Sequence, residues 1–458
     1  MLSYGLGDAG TGLVATQLGF YLFPFFTCAA GIPAFIAGSL LMVIKIWDAI
    51  NDPLIGWLSD HTKSRWGPRL PWMMGAAAPL GISLAAMWWV PNGSLNEKTI
   101  YYIGISILLM SAYTSVNLPF AALSTEITQE TSIRTRLNAA RFTGSILAGL
   151  SGLILAAGFL SSTNIAGINQ LKESYLSVGK VTGLLATLIT LVSCWGLAPF
   201  AKKARRPLAE SEPIKKQFKR ILRNKKFIQI ITLYLLLWCG LQLMQTVSLI
   251  YLEQVMKVPP ELSKWMIIPF QISALLGLQF WSLYSNRVGR IKALNKGGLL
   301  WISACIIAMI LPPLSTDFSL SSISIYGFEQ IKFCFLFAII LLVGFGASTA
   351  YLIPWSLLPD AIDADPEKPA GVYTAWMVLI QKLGIGISVQ LLGLLLTFAR
   401  YQSSTNCFGI SNSFEQPSTA IATIRICMGL IPSVLVAIGL LRMRDWLDGE
   451  TSPQIANS

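Results

Sequence analysis

The stretch KIWDAINDP, Lys45 to Pro53, places charged and amide side chains inside a run of sequence that is otherwise apolar, with PAFIAGSLLMVI before it and LIGWL after it. The whole run exceeds the roughly 20 residues that a helix needs to cross a bilayer. Asp48, Asn51 and Asp52 are spaced i, i+3, i+4, so on a helix their side chains share one face. The stretch therefore predicts a membrane helix that carries a concentrated polar site.

The composition of the whole chain agrees with a membrane protein. Of 458 residues, 54% are hydrophobic and only 12% are charged, and the mean hydropathy is +0.61. These values exceed what water-soluble domains need. Apolar segments long enough to span recur near residues 10–30, 33–58, 71–91, 100–124, 137–160, 178–200, 227–252, 262–285, 293–313, 331–356, 371–399 and 419–443. We predict an all-α membrane protein with twelve transmembrane helices.

The net charge of +12 raises the question of a nucleic-acid partner, and the distribution of the charge answers it. When alternate loops are assigned to opposite sides of the membrane, most of the 34 Lys and Arg residues fall on one side. That asymmetry is the positive-inside pattern. It predicts an integral protein of the plasma membrane, the inner membrane if the source is bacterial, with both termini in the cytoplasm and no nucleic-acid partner.

The only long charged stretch divides the twelve segments six and six, which predicts two halves joined by a linker. The same stretch is also compatible with a lipid-binding polybasic patch. The predicted parts are an N-terminal bundle (1–200), a cytoplasmic basic linker (201–226), a C-terminal bundle (227–445) and a cytoplasmic tail (446–458).

A weak internal repeat supports this division. SRWGPRLPW (Ser64–Trp72) follows the second predicted helix, and NRVGRIKAL (Asn286–Leu294) follows the eighth. The fourth and tenth predicted helices each end with a proline and then a carboxylate, Glu126 or Asp360. Parallel six-helix repeats are typical of two-bundle secondary transporters.

The carboxylates of the opening stretch need a compensating charge. Each would cost about 2.5 to 3.5 kcal/mol near the bilayer centre, and two so close together repel each other. A hard monovalent cation, Na⁺ or H⁺, suits carboxylate and amide oxygens. The alternative is a structural salt bridge to Lys45 or Lys382, although one lysine does not account for two aspartates and an asparagine.

Two further cations lie in apolar surroundings, Arg141 in the fifth predicted helix and Lys382 in the eleventh. A charged residue inside a membrane helix is by default a functional hypothesis, here as substrate ligand or ion-pair partner. For Arg141 the alternative is a side chain that reaches the nearby interface.

Other patterns have a structural interpretation. GLGDAG (Gly5–Gly10) matches a dinucleotide fingerprint but follows no strand, so we interpret it as small residues before a membrane helix. The seven cysteines show no metal-ligand spacing and are expected to be small buried residues. No catalytic triad, metal cluster or phosphate loop is visible, so we expect no enzyme activity and no cofactor beyond a coupling cation.

With these residues assembled, the chain resembles the glycoside/pentoside/hexuronide:cation symporter family of the major facilitator superfamily, typified by melibiose permease. The likeness covers nearly the whole chain. Its most specific part is IWDAINDPLIGWLSDHTKSRWGPRLPW, Ile46 to Trp72. YTSVNLPF, AARF, PWSLLPDAIDAD and LIQKLG fall where the family has motifs on helices 4, 5, 10 and 11.

The resemblance implies roles for individual residues. It implies cation binding by Asp48, Asn51, Asp52 and Thr114. It implies substrate contacts from Arg141, Lys382, Asn117 and Tyr351, and cytoplasmic ion-pair networks that gate transport from Arg65, Arg136, Glu126 and Asp360.

Departures from the family pattern concern the substrate. Gly12 and Asn117 stand where melibiose permease has sugar-binding aspartates, and Tyr351 and Ala121 stand where it has tryptophans. The resemblance therefore carries the cation chemistry over more directly than the identity of the substrate.

The predicted function is cation-coupled symport of a sugar or glycoside-like solute by alternating access, with the protein acting as a monomer among membrane lipids. Three alternatives remain. Related animal proteins carry lysolipids, so the cargo is open to an amphipathic molecule; a non-transporting sensor or assembly factor and a passive uniporter or channel are the others. Retention of WDAINDP argues against the sensor, since an idle site has no need of costly charges.

Overall fold

The computed structural model describes residues 2–127, 131–161, 167–201, 213–315, 327–366, 370–403 and 416–444. Within these ranges the side chains at positions 2, 124–126, 131–136, 138–139, 214 and 370 fall outside the description. The described residues form helices joined by short connections and contain no strand.

The helices in chain order are α1 (Leu2–Gly5), α2 (Ala9–Pro24), α3 (Ala34–Asp60), α4 (Leu70–Met87), α5 (Leu95–Ile127), α6 (Thr131–Leu160), α7 (Ile168–Ala201), α8 (Ile214–Arg223), α9 (Lys225–Ile250), α10 (Pro260–Ser263), α11 (Ile267–Val288), α12 (Arg290–Ile310), α13 (Phe328–Ala347), α14 (Thr349–Asp363), α15 (Ala370–Phe398), α16 (Ser418–Met428) and α17 (Leu430–Arg442). Together they provide twelve helical segments long and apolar enough to cross a membrane. The prediction of an all-helical chain with twelve spans is confirmed.

The first span begins earlier than the sequence indicated. A 3-10 turn, Leu6–Asp8, joins α1 to α2, so the apolar rod runs from Ser3 to Ala29 rather than from residue 10. The glycines and Asp8 of GLGDAG thus lie inside the helical segment and not before it. The prediction that this motif precedes the membrane helix was therefore wrong. Asp8, in the middle of the motif, is only 4% exposed.

The two halves repeat a structural detail. A five-residue π turn, Phe25–Ala29, ends the first span, and a second one, Tyr251–Val255, follows α9. Such wide turns are rare. Their recurrence at the ends of the first and seventh spans supports the internal repeat inferred from sequence.

The described residues group into two compact units. Unit 1 takes its residues from Met1–Ala209, Pro260–Trp265 and Val389–Gln416, and unit 2 from Glu210–Pro259, Met266–Ser388 and Pro417–Ser458. Most of the N-terminal half lies in unit 1, together with α10 and the last part of α15. The linker helix α8 belongs to unit 2.

Small residues let the helices of unit 1 approach closely, as is usual where lipid provides no hydrophobic drive between helices. A Cβ atom built at Gly81 of α4 would overlap the carbonyl of Gly183 on α7, and one at Gly183 would overlap the carbonyl of Gly81. An apolar cluster that includes Tyr4, Phe120 and Leu197 packs at one end of the same helices.

In unit 2, Gly346 of α13 likewise allows a close approach to α12. A Cβ atom there would lie 2.7 Å from the backbone nitrogen of Trp301 and 2.8 Å from the carbonyl of Gly297. The Trp301 indole donates to the sulfur of Met244 on α9 at 3.1 Å.

The described cysteines differ from the expectation in three places, one of which is the half-buried free thiol of Cys239. Cys28 forms a disulfide bond, and Cys334 is free but exposed. Three further cysteines of the described residues, Cys194, Cys305 and Cys427, are buried free thiols as expected.

Replacing Gly81 by alanine should lower the melting temperature of the purified protein, because the added methyl group forces α4 and α7 apart. Gly104→Ala is the matched control, since Gly104 lies in an exposed helix position where a Cβ meets nothing within 4 Å. Alanine has a better helix propensity than glycine by about 1 kcal/mol, so the control should keep or slightly raise the melting temperature. Equal values for the two variants would contradict the packing described here.

Candidate functional site

The polar stretch of α3 forms one face of a continuous helix, although Pro53 lies within it. Asp48 and Asn51 are 3% and 2% exposed, and Asp52 is half-buried. Lys45 is half-buried one turn earlier. The helical spacing inferred from the sequence is therefore the spacing in the structure, and it brings two carboxylates together inside unit 1.

Helix α5 contributes the partner of this face. The hydroxyl oxygen of Thr114 lies 3.4 Å from Oδ1 of Asp48 and 3.3 Å from Oδ1 of Asp52. Nδ2 of Asn51 donates to the backbone carbonyl of Met110 at 3.4 Å, which fixes this amide against the same helix. Two carboxylates and a hydroxyl thus converge on one point, an arrangement of oxygens that suits a hard cation.

A second polar cluster centres on Asp8. The Arg141 guanidinium donates through Nε to Oδ2 of Asp8 at 2.9 Å. The other oxygen, Oδ1, accepts from Asn117 at 2.5 Å and from the Thr11 hydroxyl at 2.9 Å. A buried carboxylate with a cation and two neutral donors is well compensated, so this cluster joins the first, fourth and fifth spans of unit 1.

The Arg141 guanidinium is positioned by aromatic rings and keeps donor groups available for a ligand. Its guanidinium lies over the rings of Phe120 and Phe142, at 5.6 and 5.7 Å from their centroids. Its side chain is 17% exposed. Beyond the bond through Nε, its terminal nitrogens make no hydrogen bond to any residue that the structure describes. The fork of the guanidinium is therefore oriented and still able to donate.

Asp8 is not among the predicted site residues. The predicted first span begins only at residue 10, and the resemblance matches the family's helix 1 aspartate to the position of Gly12. Asp8 precedes Gly12 by one helical turn and so shares its helix face. The signal was present: an aspartate four residues from the expected position, in an apolar segment where a charge is costly.

One turn of α5 connects the two clusters. Thr114 and Asn117 are three residues apart and so lie on one side of the helix. Thr114 faces the carboxylates of α3, and Asn117 donates to Asp8. The two clusters of unit 1 are therefore linked through one turn of α5.

Unit 2 carries a polar aromatic wall, which we define as Tyr234, Trp238, Tyr351, Trp355 and Gln381. The Tyr351 and Trp238 rings meet edge to face at 5.0 Å. The Trp355 indole donates to the Tyr234 hydroxyl at 3.1 Å, and that hydroxyl donates to Oε1 of Gln381 at 2.9 Å.

The sequence identified only Tyr351 of this wall, together with Lys382, which follows Gln381 on α15 and is half-buried. The missing members were visible as pairs one turn apart, Tyr234 with Trp238 and Tyr351 with Trp355. Such spacing is also common in helices without a binding role, so the pairs alone did not indicate a site.

The four predicted gating residues have different surroundings. Asp360 forms an ion pair with Arg290 at 2.6 Å in unit 2, and Arg65 is exposed with its guanidinium 5.2 Å from the Trp66 ring centroid. The side chains of Glu126 and Arg136 lie outside the described residues.

Two ion pairs that the sequence did not predict lie within single units. Arg69 pairs with Asp60 at 2.5 Å in unit 1, and Arg220 with Asp365 at 3.2 Å in unit 2.

Comparison with known proteins gives matches over nearly the full chain. Residues 3–445 match a family described as MFS/sugar transport protein. An uncharacterized symporter from Synechocystis is 30% identical over 96% of this chain and 92% of its own. YagG of Escherichia coli, named as a candidate glycoside/cation symporter, is 27% identical over 95% of this chain and 89% of its own. A protein from Xenopus tropicalis named sodium-dependent lysophosphatidylcholine symporter 1 is 23% identical over 96% and 84%.

Solved structures agree on the fold. The nucleoside transporter NupG superposes with a TM-score of 0.65 at 13% identity, covering 97% of this chain and 98% of its own. A D-xylose-proton symporter gives 0.64 at 14% identity, covering 97% and 96%. At such low identity the agreement is one of architecture.

The Asp8–Arg141 pair should show strong coupling in a double-mutant cycle. Asp8→Asn leaves a buried guanidinium without its counter-charge, which costs about 3 kcal/mol in comparable pairs, and the double variant Asp8→Asn/Arg141→Gln should lose less than the sum of the single losses. The coupling is obtained from the free energies of unfolding of the purified variants.

The matched control is the pair Asp360→Asn and Arg290→Gln. The two native side chains are 30% and 33% exposed, so their coupling should stay at about 1 kcal/mol or less. Additivity at the buried pair within about 0.5 kcal/mol would refute the assignment.

Proposed function

Since the chain belongs to the MFS/sugar transport protein family, we propose that it couples the movement of Na⁺ or H⁺ to the uptake of a sugar or glycoside-like solute by alternating access. The observation that carries this proposal is the convergence of Asp48, Asp52 and Thr114 on one point inside unit 1. Two carboxylates so close together repel each other, and a positive ion between them would relieve that repulsion. Relatives named as cation symporters support the same chemistry.

The proposed cation ligands are the carboxylates of Asp48 and Asp52, the Thr114 hydroxyl and the amide oxygen of Asn51. With a cation bound, the charge on α3 falls and Thr114 is drawn to the ion. Transport of one net charge down the membrane potential would supply about 2.3 kcal/mol per 100 mV. That is enough to drive appreciable accumulation of a neutral solute.

Coupling is proposed to pass through α5. Thr114 contacts the cation face and Asn117 donates to Asp8, so a small movement of this helix turn alters both clusters. Binding of the cation then changes the affinity for the solute, and by linkage the solute changes the affinity for the cation to the same degree.

For the solute, each unit offers suitable groups. In unit 1, the fork of Arg141 and the amide of Asn117 are proposed to donate to solute hydroxyls, with Asp8 holding both side chains in place. In unit 2, Tyr351 and its aromatic neighbours suit the apolar face of a sugar ring, and Lys382 is proposed as a further polar contact. Mixed aromatic and hydrogen-bonding surfaces of this kind are usual for small-molecule sites.

Orientation, gating and assembly complete the proposal. The charge asymmetry of the loops supports a plasma or bacterial inner membrane location with both termini in the cytoplasm. Arg65, Arg136, Glu126 and Asp360 are proposed to take part in ion-pair networks near the ends of the spans that change during the transport cycle. A single chain is proposed to suffice for transport.

A second candidate cargo is a lysolipid. Relatives from Xenopus tropicalis and Gallus gallus are named as lysophosphatidylcholine symporters. A largely apolar groove of about 490 Å³ lies in unit 1, where Trp72, Leu108 and Ala112 contribute to its lining. Such a groove suits part of an acyl chain, and a guanidinium fork binds phosphate as readily as it binds hydroxyls.

Cation binding is testable without knowledge of the cargo. At constant ionic strength, replacing choline chloride by NaCl should raise the melting temperature of the purified protein, since a ligand at 100 times its Kd stabilises by about 2.7 kcal/mol. Asp48→Asn and Asp52→Asn should abolish the shift, and Thr114→Val should require roughly 10-fold more Na⁺, a loss of about 1.4 kcal/mol. Thr99→Val near the start of α5, about four helical turns from Thr114, is the matched control and should behave as the unchanged protein. For H⁺ coupling, the aspartate variants would instead lose a pH-dependent shift. Full retention of both responses in Asp48→Asn and Asp52→Asn would exclude this cation site.

The cargo is testable by screening glycosides and lysolipids for thermal stabilisation with and without Na⁺. We expect a glycoside to stabilise the protein more strongly with Na⁺ present, and Arg141→Lys to remove that effect, because lysine lacks the planar fork. Saturable stabilisation by lysophosphatidylcholine alone would instead identify the second candidate as correct.

A further inference from the structure

A helix in the linker, α8, is docked onto the ends of α14 and α15 in unit 2. Arg220 of α8 pairs with Asp365 at 3.2 Å, and the Tyr373 hydroxyl donates to the same carboxylate at 2.8 Å. Asn224, at the junction of α8 and α9, donates to the carbonyl of Ala361 at 2.7 Å. These contacts give α8 a defined place against the membrane spans.

Between α8 and these helix ends lies a cavity of about 770 Å³ with a strongly basic lining. Among the described residues of its lining, six carry basic side chains and one, Asp365, carries a carboxylate, which binds Arg220 and Tyr373. The lining consists of Lys216, Lys219, Arg220, Arg223, Asn224, Lys225, Lys226, Ala364, Asp365, Pro366 and Tyr373.

Part of the positive charge of the cavity is exposed to solvent. Lys219, Arg223 and Lys225 are exposed at its edge. Helix α9 begins at Lys225, so the positive end of its dipole adds to the same potential. Guanidinium and ammonium groups gathered in this way recognise phosphate.

Helix α8 also carries exposed apolar side chains. Phe218 and Leu222, one turn apart, are 48% and 56% exposed, and the Phe218 ring lies 5.5 Å from the Trp376 ring of α15. A helix with a basic face, an exposed apolar face and a position at the ends of membrane spans is typical of one that lies in the membrane interface.

From these observations we infer that the basic cavity binds the phosphate of an anionic glycerophospholipid, with Lys219, Arg223 and Lys225 around the headgroup and Phe218 and Leu222 against the acyl region. Basic side chains close to an anionic leaflet strengthen such an interaction. The bound lipid would fasten the linker helix to the membrane surface. The inference does not depend on the identity of the cation or of the cargo.

The test uses the full-length protein in a neutral detergent. Addition of phosphatidylglycerol should raise the melting temperature in a saturable manner, and phosphatidylcholine should give little shift. Lys219→Gln/Arg223→Gln should lose at least half of the phosphatidylglycerol shift. Arg287→Gln/Lys292→Gln is the matched control, because it removes the same charge from exposed positions of unit 2 outside the cavity, and it should retain the shift.

A further pair of measurements separates a lipid from a soluble phosphate. Phe218→Ser/Leu222→Ser leaves the basic lining intact and should weaken the response to phosphatidylglycerol. Glycerol 3-phosphate alone should not reproduce the shift. Equal losses in the cavity variant and its control, no response to phosphatidylglycerol, or a full response to glycerol 3-phosphate would each overturn the inference.

Discussion

In the hydrocarbon core of a membrane no water solvates a charged side chain, so other groups of the protein must compensate its charge. The polar architecture of unit 1 follows from this constraint. Asp8 is surrounded by a guanidinium, an amide and a hydroxyl, each within hydrogen-bond distance. Asp48 and Asp52 face a shared hydroxyl. These polar contacts help to fix the rotation of each helix of unit 1 about its own axis.

The two clusters differ in composition. Both oxygens of Asp8 accept hydrogen bonds, and its charge is matched by Arg141. The α3 face carries two carboxylates beside a neutral hydroxyl, with Lys45 one turn earlier. These compositions support the proposal that the first cluster contacts the solute and that the second holds the cation.

Much of the fold could be predicted from sequence because the bilayer dictates the length and apolarity of each span. The positions of Asp48, Asn51 and Asp52 on one helix face followed from their spacing alone. Asp8 was missed because a short 3-10 turn extends the first span beyond its most apolar part, and that turn depends on packing against α6 and α7. The aromatic wall of unit 2 brings together three helices distant in sequence, and no local spacing reports such a meeting. The ion pair of Arg220 with Asp365 could not be predicted either, because the number of charges does not indicate which residues distant in sequence meet.

The Thr114 hydroxyl that stands before both carboxylates carries a single hydrogen, while the two oxygens facing it are both acceptors. The hydrogen of Thr114 can therefore serve only one of these two oxygens at a time. With a proton on either aspartate, Thr114 can donate to one side chain and accept from the other. A sodium ion achieves the same result by a different route, since it takes up the lone pairs themselves. Selectivity between the two particles would then depend on whether the oxygens can close to the short distances of a coordination shell, which makes the stiffness of α5 beside α3 a determinant of which gradient the protein can use.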